Sequence, residues 1–538
     1  MAGPGQGPSP VMPALLGRIS GQAAGSEFIE GSGASGGITN ETLFTTNYGN
    51  RRSASPSKIL ETPHSAAAWL RTLRVSRREV LRATFASTPL RRFGAALRRS
   101  PGTQAPNSFR HSFMVSHIDE FWSHSWHGQA WQKVVLLNIL QNGFPAMLAG
   151  HLGAALGFAC GAFQFLPGFL VKCFRGSNET EFCSWALLFG TTASALTLIL
   201  WHSRRKVFFD QICIHQTDDD LKSEGILNIG GMLRQSRSML VLLDASYVGR
   251  LWCIFELAAF LKSRQGVQPQ LFVRPVILGP ISAVIFLVAL CGYAIVPVLP
   301  ATYSWSSLGV ISVISLVLTT ATIHAFRGYH RCTSALDKSL VSFSVAEAAC
   351  SCCTLGHRDG ERRLICDRNL VLSCVRDWFG SSRSFDACVQ TTLRTKLQSQ
   401  LGHHGLPYWW VVGMLSPCLW GELDFVASDA RSGHWQLVFA RIMGTFAWYL
   451  GVYPLLYVIV FKIAWLIQTG ASRQWLDVLI SFGGSALYLI PCGAIWSLWQ
   501  FFFLQFDSSE EGSAIFLAFA LAGALWFWGP WSCVSARQ

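Results

Sequence analysis

The run Lys206–Ser263, KVFFDQICIHQTDDDLKSEGILNIGGMLRQSRSMLVLLDASYVGRLWCIFELAAFLKS, decides how this chain is read. Val207–Ile214 is a short apolar run with one carboxylate, Asp210, inside it. That pattern suits a buried strand of a parallel sheet. Thr217 followed three residues on by Asp220 is a capping-box pattern, and acids in a first turn suit the helix dipole. A helix is expected from there to about Gln235. Met239–Leu243 reads as a second buried strand, Asp244–Arg250 as a loop and Leu251–Lys262 as a second helix. Strand, helix, strand, helix implies right-handed parallel crossovers and an α/β fold. Trp252 and Glu256 stand four residues apart and share one face of the second helix. An aromatic plane one turn from a carboxylate suits a ring-bearing, polyhydroxylated ligand. The plainer reading makes Trp252 and Cys253 core residues and Glu256 a solvated or capped acid; both stay open.

Upstream, Ile118–Trp122 is the candidate first strand. Ser123, His124, Ser125, Trp126 and His127 form a polar, aromatic loop at its C-terminal end, where open parallel sheets bind ligands. Two histidines without a third ligand do not make a metal site, and no metal ligand is assigned. Ala130–Gln141 reads as an amphipathic helix.

The run Ser246, Tyr247, Trp252, Cys253, Glu256, Leu257 resembles the third block of Toll/interleukin-1 receptor (TIR) domains. Phe209–Asp210 and Gly225–Ile226 resemble the second block, and Asp119–Trp126 (DEFWSHSW) the first. Asp210–Gln216 (DQICIHQ) is also similar to a strand of heterokaryon-incompatibility domains. The resemblance implies a flavodoxin-like parallel sheet. Some TIR domains cleave the N-glycosidic bond of NAD with the glutamate of the third block, which here is Glu256. NAD would then be a substrate rather than a prosthetic group. Trp252 and Trp126 would stack on it, Ser123, His124 and Ser125 would hydrogen-bond its phosphates or ribose, and Asp210 would line the same site. Other TIR domains act as adaptors, and the family implies a homo-oligomer formed through this domain.

Composition places most of the remaining chain in a membrane. Of 538 residues 51% are hydrophobic and 14% charged, against about 25% charged in ordinary soluble domains. The net charge is +13. The arginines cluster near the N-terminus and beside apolar runs, with no nucleic-acid motif, so anionic lipid rather than nucleic acid is the expected partner. Eight spans are expected, at 148–171, 184–201, 276–298, 306–326, 408–426, 442–464, 476–503 and 513–531. Each is long enough for a hydrocarbon core of about 30 Å. An even count puts both termini on one side. The segments 71–147, 202–275, 327–407 and 465–475 carry nearly all the Lys and Arg, so that side is cytosolic. The first two spans form a hairpin inserted between two parts of the TIR-like domain, 111–147 and 202–275. A second hairpin covers 276–326, and a four-span region covers 408–538. No charge lies at the centre of any span, which argues against the remaining reading, a channel or transporter with a cytosolic regulatory domain.

Asn178 begins an Asn-Glu-Thr sequon on the outer face, and Cys173 and Cys183 flank it closely enough to close a disulfide loop. Residues 1–110 are expected to be disordered and arginine-rich. Within them, 66–85 reads either as a basic amphipathic helix docking on anionic headgroups or as a solvated linker. The cytosolic block 327–407 holds Cys350, Cys352, Cys353, His357 and Cys366. Zinc, palmitoylation and buried free thiols all fit this cluster; the spacing lacks paired C-x2-C knuckles, and free thiols are the default.

Overall fold

β3 (Ile118–His124) is the strand on which the α/β part is laid down. A computed structural model describes residues 63–98, 108–172, 179–295, 305–354, 356–359, 362–363, 366–401, 404–471, 473–505 and 509–529. With β1 (Arg82–Phe85), β2 (Phe113–Met114), β6 (Lys206–Phe208), β7 (Ser236–Leu243) and β8 (Leu271–Pro275), β3 forms a six-stranded mixed sheet in the order β2-β1-β6-β3-β7-β8. β6, β3, β7 and β8 are parallel, and β1 and β2 are antiparallel additions at the β6 edge. The other edge, β8, is covered by the helix Ser382–Leu401. Gln400 accepts the Val273 amide at 2.8 Å and donates to the Leu271 carbonyl at 2.7 Å, so the edge backbone is satisfied rather than left open.

The crossover from β3 to β6 is the unusual part. It runs through the helix Ala130–Ala162, a hairpin of β4 (Phe169–Lys172) and β5 (Glu179–Phe182), and the helix Trp185–Leu200. β3 and β6 nevertheless lie side by side, with Glu120 opposite Val207 and Phe121 opposite Phe208. The inserted hairpin therefore leaves the sheet intact. The expected amphipathic helix 130–141 and the expected span 148–171 are one continuous helix of 33 residues, roughly 50 Å long at 1.5 Å per residue. Its glycines let the returning helix approach closely. A side chain at Gly157 would collide with the Trp185 carbonyl, and one at Gly153 would lie 2.8 Å from the Phe189 carbonyl. Small residues serve the same purpose at helix contacts within membranes.

Among the described residues five helices are long and apolar enough to cross a membrane: Ala130–Ala162, Leu278–Ile295, Leu437–Leu466, Gln474–Phe502 and Glu510–Trp528. The other three expected spans take other forms among the described residues. Trp185–Leu200 is apolar but has only 16 residues, about 24 Å at 1.5 Å per residue. The expected span 306–326 lies within a 37-residue helix, Trp305–Val341, and the charged residues Arg327, Arg331, Asp337 and Lys338 follow the expected span rather than interrupt it. The expected span 408–426 is broken at Leu415 into Tyr408–Met414 and Ser416–Arg431. The second piece carries Glu422, Asp424, Asp429 and Arg431 and buries Trp420 and Asp424.

The soluble elements differ from expectation in ways with local causes. β6 ends at Phe208, well short of the expected Ile214, because the chain turns at Asp210 into the one-turn helix Asp210–Cys213. The expected helix 217–235 is two, Asp219–Leu227 and Ile229–Arg234, joined at Asn228, whose side chain accepts the distant Ser76 amide at 2.7 Å. Asp218, not Thr217, caps the first, accepting the amides of Asp220 and Leu221 at 3.0 Å each.

Of the region expected to be disordered, 1–62 and 99–107 lie outside the described residues, but 63–98 are folded. Leu70, Leu73, Val80 and Leu81 are core residues. Arg71 pairs with Asp377 at 2.6 Å, and Arg77 grips Glu224 at 2.6 and 2.8 Å. The basic membrane-docking helix or linker expected over 66–85 is thus a packed helix, a turn and a strand between β2 and β6, with Arg71 and Arg77 paired to acids of the protein. Their acids are distant in sequence, so no local pattern reveals the pairing.

Gly157→Val is expected to lower the thermal unfolding midpoint of the full-length protein in detergent, overpacking of this kind costing about 1–3 kcal/mol. Gly143→Ala should not lower it, since its added carbon meets only Ile139, at 3.5 Å. An unchanged midpoint for Gly157→Val would mean that the two helices do not touch there.

Candidate functional site

Leaving β3, the chain goes first to its neighbour on one side, β6, and then returns to the other side as β7. At such a border the crossovers diverge and open a crevice beyond the carboxyl ends of the strands. Asp210 follows β6, Ser123 and His124 end β3, Asp244–Arg250 follows β7, and the helix Leu251–Ser263 starts beside them.

Glu256 is half-buried there. Its Oε2 accepts the Ser123 hydroxyl at 2.6 Å, and that hydroxyl lies 2.7 Å from the buried Tyr247 phenol. Oε1 has no hydrogen-bond partner among the described residues. Burial pushes the Glu256 carboxyl up to about 8; the Ser123 hydrogen bond opposes the rise and the nearby Asp210 adds to it. Asp210 is itself pushed up to about 6 by burial, against hydrogen bonds from the Gln211 amide at 2.8 Å and the Trp126 indole at 3.1 Å. No cation pairs directly with either carboxylate among the described residues, so their mutual repulsion is relieved only by holding protons.

Below the crevice lies a second polar group. Lys133, 2% exposed, sits 3.5 Å from Asp244 Oδ2 and donates to the Ser125 carbonyl. Ser246 Oγ stands 2.7 Å from Ser125 Oγ and 2.5 Å from Asp244 Oδ1. Gly128 has to lack a side chain, because a Cβ would collide with Asp244. The first long helix is thereby tied to the ends of β3 and β7 by a buried ion pair, and breaking such a pair from one side costs about 3–5 kcal/mol.

The structure brings Ser123, Asp210, Trp126 and Glu256 together, and it changes the roles of three expected ligand contacts. Ser123, His124 and Ser125 are buried, because β3 runs two residues past the expected strand end and makes strand of what reads as loop. His124 is stacked on Phe209 at 5.3 Å with its edge on Trp126 at 4.4 Å, and burial holds its imidazole well below the usual histidine range. Ser125 serves the lysine network. Trp252 donates its indole N–H to Asp367 at 3.3 Å, which ties it to the segment that follows the long helix Trp305–Val341.

Tyr247, Lys133, Asp244 and Asp367 belong to the site without having been singled out for it. Only Lys133 leaves a trace in sequence, as a lone cation on an otherwise apolar helix. Residues able to hold a metal lie beside the crevice: Cys352, Cys353, His357 and Cys366 have their ligand atoms within 4.8 Å of one another. On the far side of the first long helices, Cys183 is a buried free thiol; its expected partner Cys173 and the sequon residue Asn178 lie outside the described residues. No protein-family model, curated protein or solved structure matches the chain.

The raised Glu256 carboxyl has a sign-definite consequence. Its folded value of about 8 exceeds the ordinary 4.5. Its stabilising contribution is therefore complete below about 4.5 and is lost as pH rises through about 8. Glu256→Gln should unfold at a midpoint that depends less on pH across that window, and should gain most over the parent protein at the alkaline end. Parallel pH profiles of the two proteins would show the carboxyl to be unperturbed.

Proposed function

We propose that the chain is a multi-pass membrane signalling protein whose α/β body is a cytosolic, flavodoxin-like TIR domain that cleaves the N-glycosidic bond of NAD at Glu256. The observation that carries this reading is a half-buried carboxylate at the carboxyl ends of β3 and β7, held by Ser123 through one oxygen and, among the described residues, without a hydrogen-bond partner at the other. The parallel order β6-β3-β7-β8 is second, first, third, fourth along the chain, which is the doubly wound order whose ligands bind at this border.

In the reaction the C–N bond to nicotinamide breaks with its electron pair going to the ring nitrogen. The ribosyl carbon becomes oxocarbenium-like, and water adds to it with loss of a proton. Glu256 has to be ionised to stabilise that charge and to accept the ribose hydroxyls. The positively charged nicotinamide ribosyl group favours the ionised form on binding. Trp126, half-buried at the mouth, offers a stacking face.

Both termini lie in the cytosol in this reading, which takes the shorter apolar helix Trp185–Leu200 and the apolar parts of 305–341 and 408–431 to cross as well, an even count. The sheet sits at the start of the helix Ala130–Ala162 and the β4–β5 hairpin beyond its end, so the two belong to opposite faces of the bilayer. The hairpin side carries the shorter, less basic loops.

One observation favours an adaptor instead. With Ser123 and His124 inside the sheet and Ser125 buried just beyond it, the phosphates lack the loop contacts expected for them, and the body would act through self-association as a homo-oligomer.

Nicotinamide release by the full-length protein in nanodiscs separates the two. Turnover that disappears in Glu256→Ala and rises with pH towards a plateau above about 8 supports the NAD glycohydrolase. No turnover by the folded parent protein at high surface density rejects it in favour of the adaptor, and equal turnover in Glu256→Ala removes Glu256 from the mechanism.

A further inference from the structure

The segment between the long helix Trp305–Val341 and the helix Asp367–Phe379 is held against the body by more than its buried Phe343, Val345 and Ala348. Ala349 forms a β-bridge with Arg250. Its amide donates to the Gly249 carbonyl at 2.7 Å, and its carbonyl accepts the Leu251 amide at 3.3 Å. Next comes the one-turn helix Ser351–Thr354, which presents Cys352 and Cys353. The chain then reverses through Gly356 and His357, at φ 62° and 59°. The reversal is closed by the Gly356 amide on the Cys353 carbonyl at 3.1 Å and the His357 amide on the Cys352 carbonyl at 2.8 Å. Left-handed backbone is costly for a residue with a side chain. Here it delivers the His357 imidazole to Cys353, with Nε2 at 3.5 Å from Sγ. A two-residue antiparallel pairing, Arg358–Asp359 with Arg362–Arg363, brings the chain back so that Cys366 Sγ stands 3.7 Å from Cys353 Sγ.

We propose that Cys352, Cys353, His357 and Cys366 bind one zinc ion, which clamps this segment onto the helix that carries Glu256. Zinc in structural sites is tetrahedral, with bonds of about 2.3 Å to sulfur and about 2.0–2.1 Å to nitrogen. A tetrahedron of that size has edges of about 3.7–3.8 Å between two sulfurs and about 3.5–3.6 Å between sulfur and nitrogen. The separations of 3.7 and 3.5 Å match those edges. An ordinary thiol–imidazole hydrogen bond falls in the same range; what points to an ion is that four donors converge within 4.8 Å of one another. Three thiolates and one imidazole form a closed soft set that suits zinc. On binding, each thiol gives its proton to water and the imidazole enters neutral.

The surroundings fit a thiolate. The Asp367 amide donates to Cys352 Sγ at 3.2 Å, the outer hydrogen bond that orients and stabilises a metal-bound sulfur. Cys350 Sγ lies 3.1 Å from Cys352 Sγ and belongs, with Asp367, to a set of three donors, one short of a structural zinc site. It is placed outside the coordination sphere. Asp367 follows the last ligand and accepts the Trp252 indole. The ion would therefore fix both ends of the contact with the Glu256 helix, Ala349 at Gly249–Leu251 and Asp367 at Trp252. The clamp holds whatever the crevice binds.

Metal content of the full-length protein, purified in nanodiscs under reducing conditions, tests this. One zinc per chain is expected, with an X-ray absorption signature of three sulfurs at about 2.3 Å and one nitrogen at about 2.0 Å. Cobalt in its place should give thiolate charge-transfer absorption. Cys353→Ser and Cys366→Ser should lose the metal. Cys350→Ser and Cys388→Ser should keep it, as should His357→Cys, which substitutes a fourth thiolate. If the ligand variants do not accumulate, the parent protein is treated with a chelator. Zinc release with faster amide exchange over 249–256 supports the clamp, and release with unchanged exchange rejects it. Less than a tenth of an equivalent of zinc in the reconstituted parent protein, or full zinc in Cys353→Ser and Cys366→Ser, overturns the site.

Discussion

Everything in this protein depends on β3 and β6 being neighbours. Parallel strands need a crossover, and the usual one is a single helix laid over the sheet. Here the crossover leaves the sheet, follows one long apolar helix outwards, turns through a hairpin and comes back. It has to return within one strand spacing, about 4.8 Å, of where it left. Two features make that return reproducible. Glycines on the outgoing helix hold the returning one at a fixed distance. Lys133 fixes where the outgoing helix begins by its pairing with Asp244 at the end of β7. That ion pair is an unusual way to anchor a helix start, since a buried pair gains little over apolar packing. What it supplies is register: an ammonium satisfied by Asp244 and the Ser125 carbonyl has one position, whereas an apolar side chain has several.

The same geometry makes the crevice. The strands that flank β3 leave in opposite directions, so the ends of β3 and β7 open a gap that no main chain fills. Two carboxylates face it without a cation, and desolvation keeps both partly protonated near neutral pH. A folded protein has no stability reason to keep such a pair, and titrating groups displaced in this way are where chemistry is commonly found. Lys133 pairs with Asp244, and its charge reaches Asp210 only as a lesser influence against burial. The buried ion pair and the unpaired acids are in this sense one arrangement.

The class of the soluble part was legible because parallel strands announce themselves. Met239–Leu243 is apolar without alternation, and so is the run from Val207. The boundaries were not legible, because they are set by residues far away. β3 continues through His124 since Ser123 and His124 find partners in Leu240–Leu242 of β7, and nothing between 118 and 127 says so. The arginines of 71–82 read as a lipid-binding face because their acids, Asp377 and Glu224, come from other segments. In the crevice, Glu256 was readable from its helix and motif, while Lys133 and Asp367 became part of the site only through tertiary contact. The cysteine cluster shows the limit in another form. Metal spacing rules rest on paired knuckles, and here two adjacent cysteines, a strained histidine and a cysteine returned by a two-residue hairpin replace them.

The apolar helices take forms that hydropathy alone does not carry. Hydropathy counts apolar residues as if every apolar helix faced lipid, yet a bundle also has an inside. Ser416–Arg431 is such an inner element. Its Trp420 is fully buried, against Gly150 of the outgoing helix and Gly190 of the returning one. Asp424 accepts the amides of Ala186 and Leu187 at 2.7 and 3.0 Å. Those are first-turn amides of the helix Trp185–Leu200, which has no side-chain cap of its own. A short helix whose amides would otherwise face an apolar surrounding needs an acceptor from elsewhere, and a carboxylate also suits the positive end of the helix dipole. Asp424 is therefore a cap for a neighbour rather than the flank of a span. Arg327 plays the matching part at the other end of the bundle. Fully buried, it donates to the carbonyls of Ile467 and Thr469 at 2.7 Å each and to Asp477 at 2.7 Å. It closes the turn between two helices much as Asp424 closes a helix start. Charges set at such places mark where backbone polar groups run out of partners.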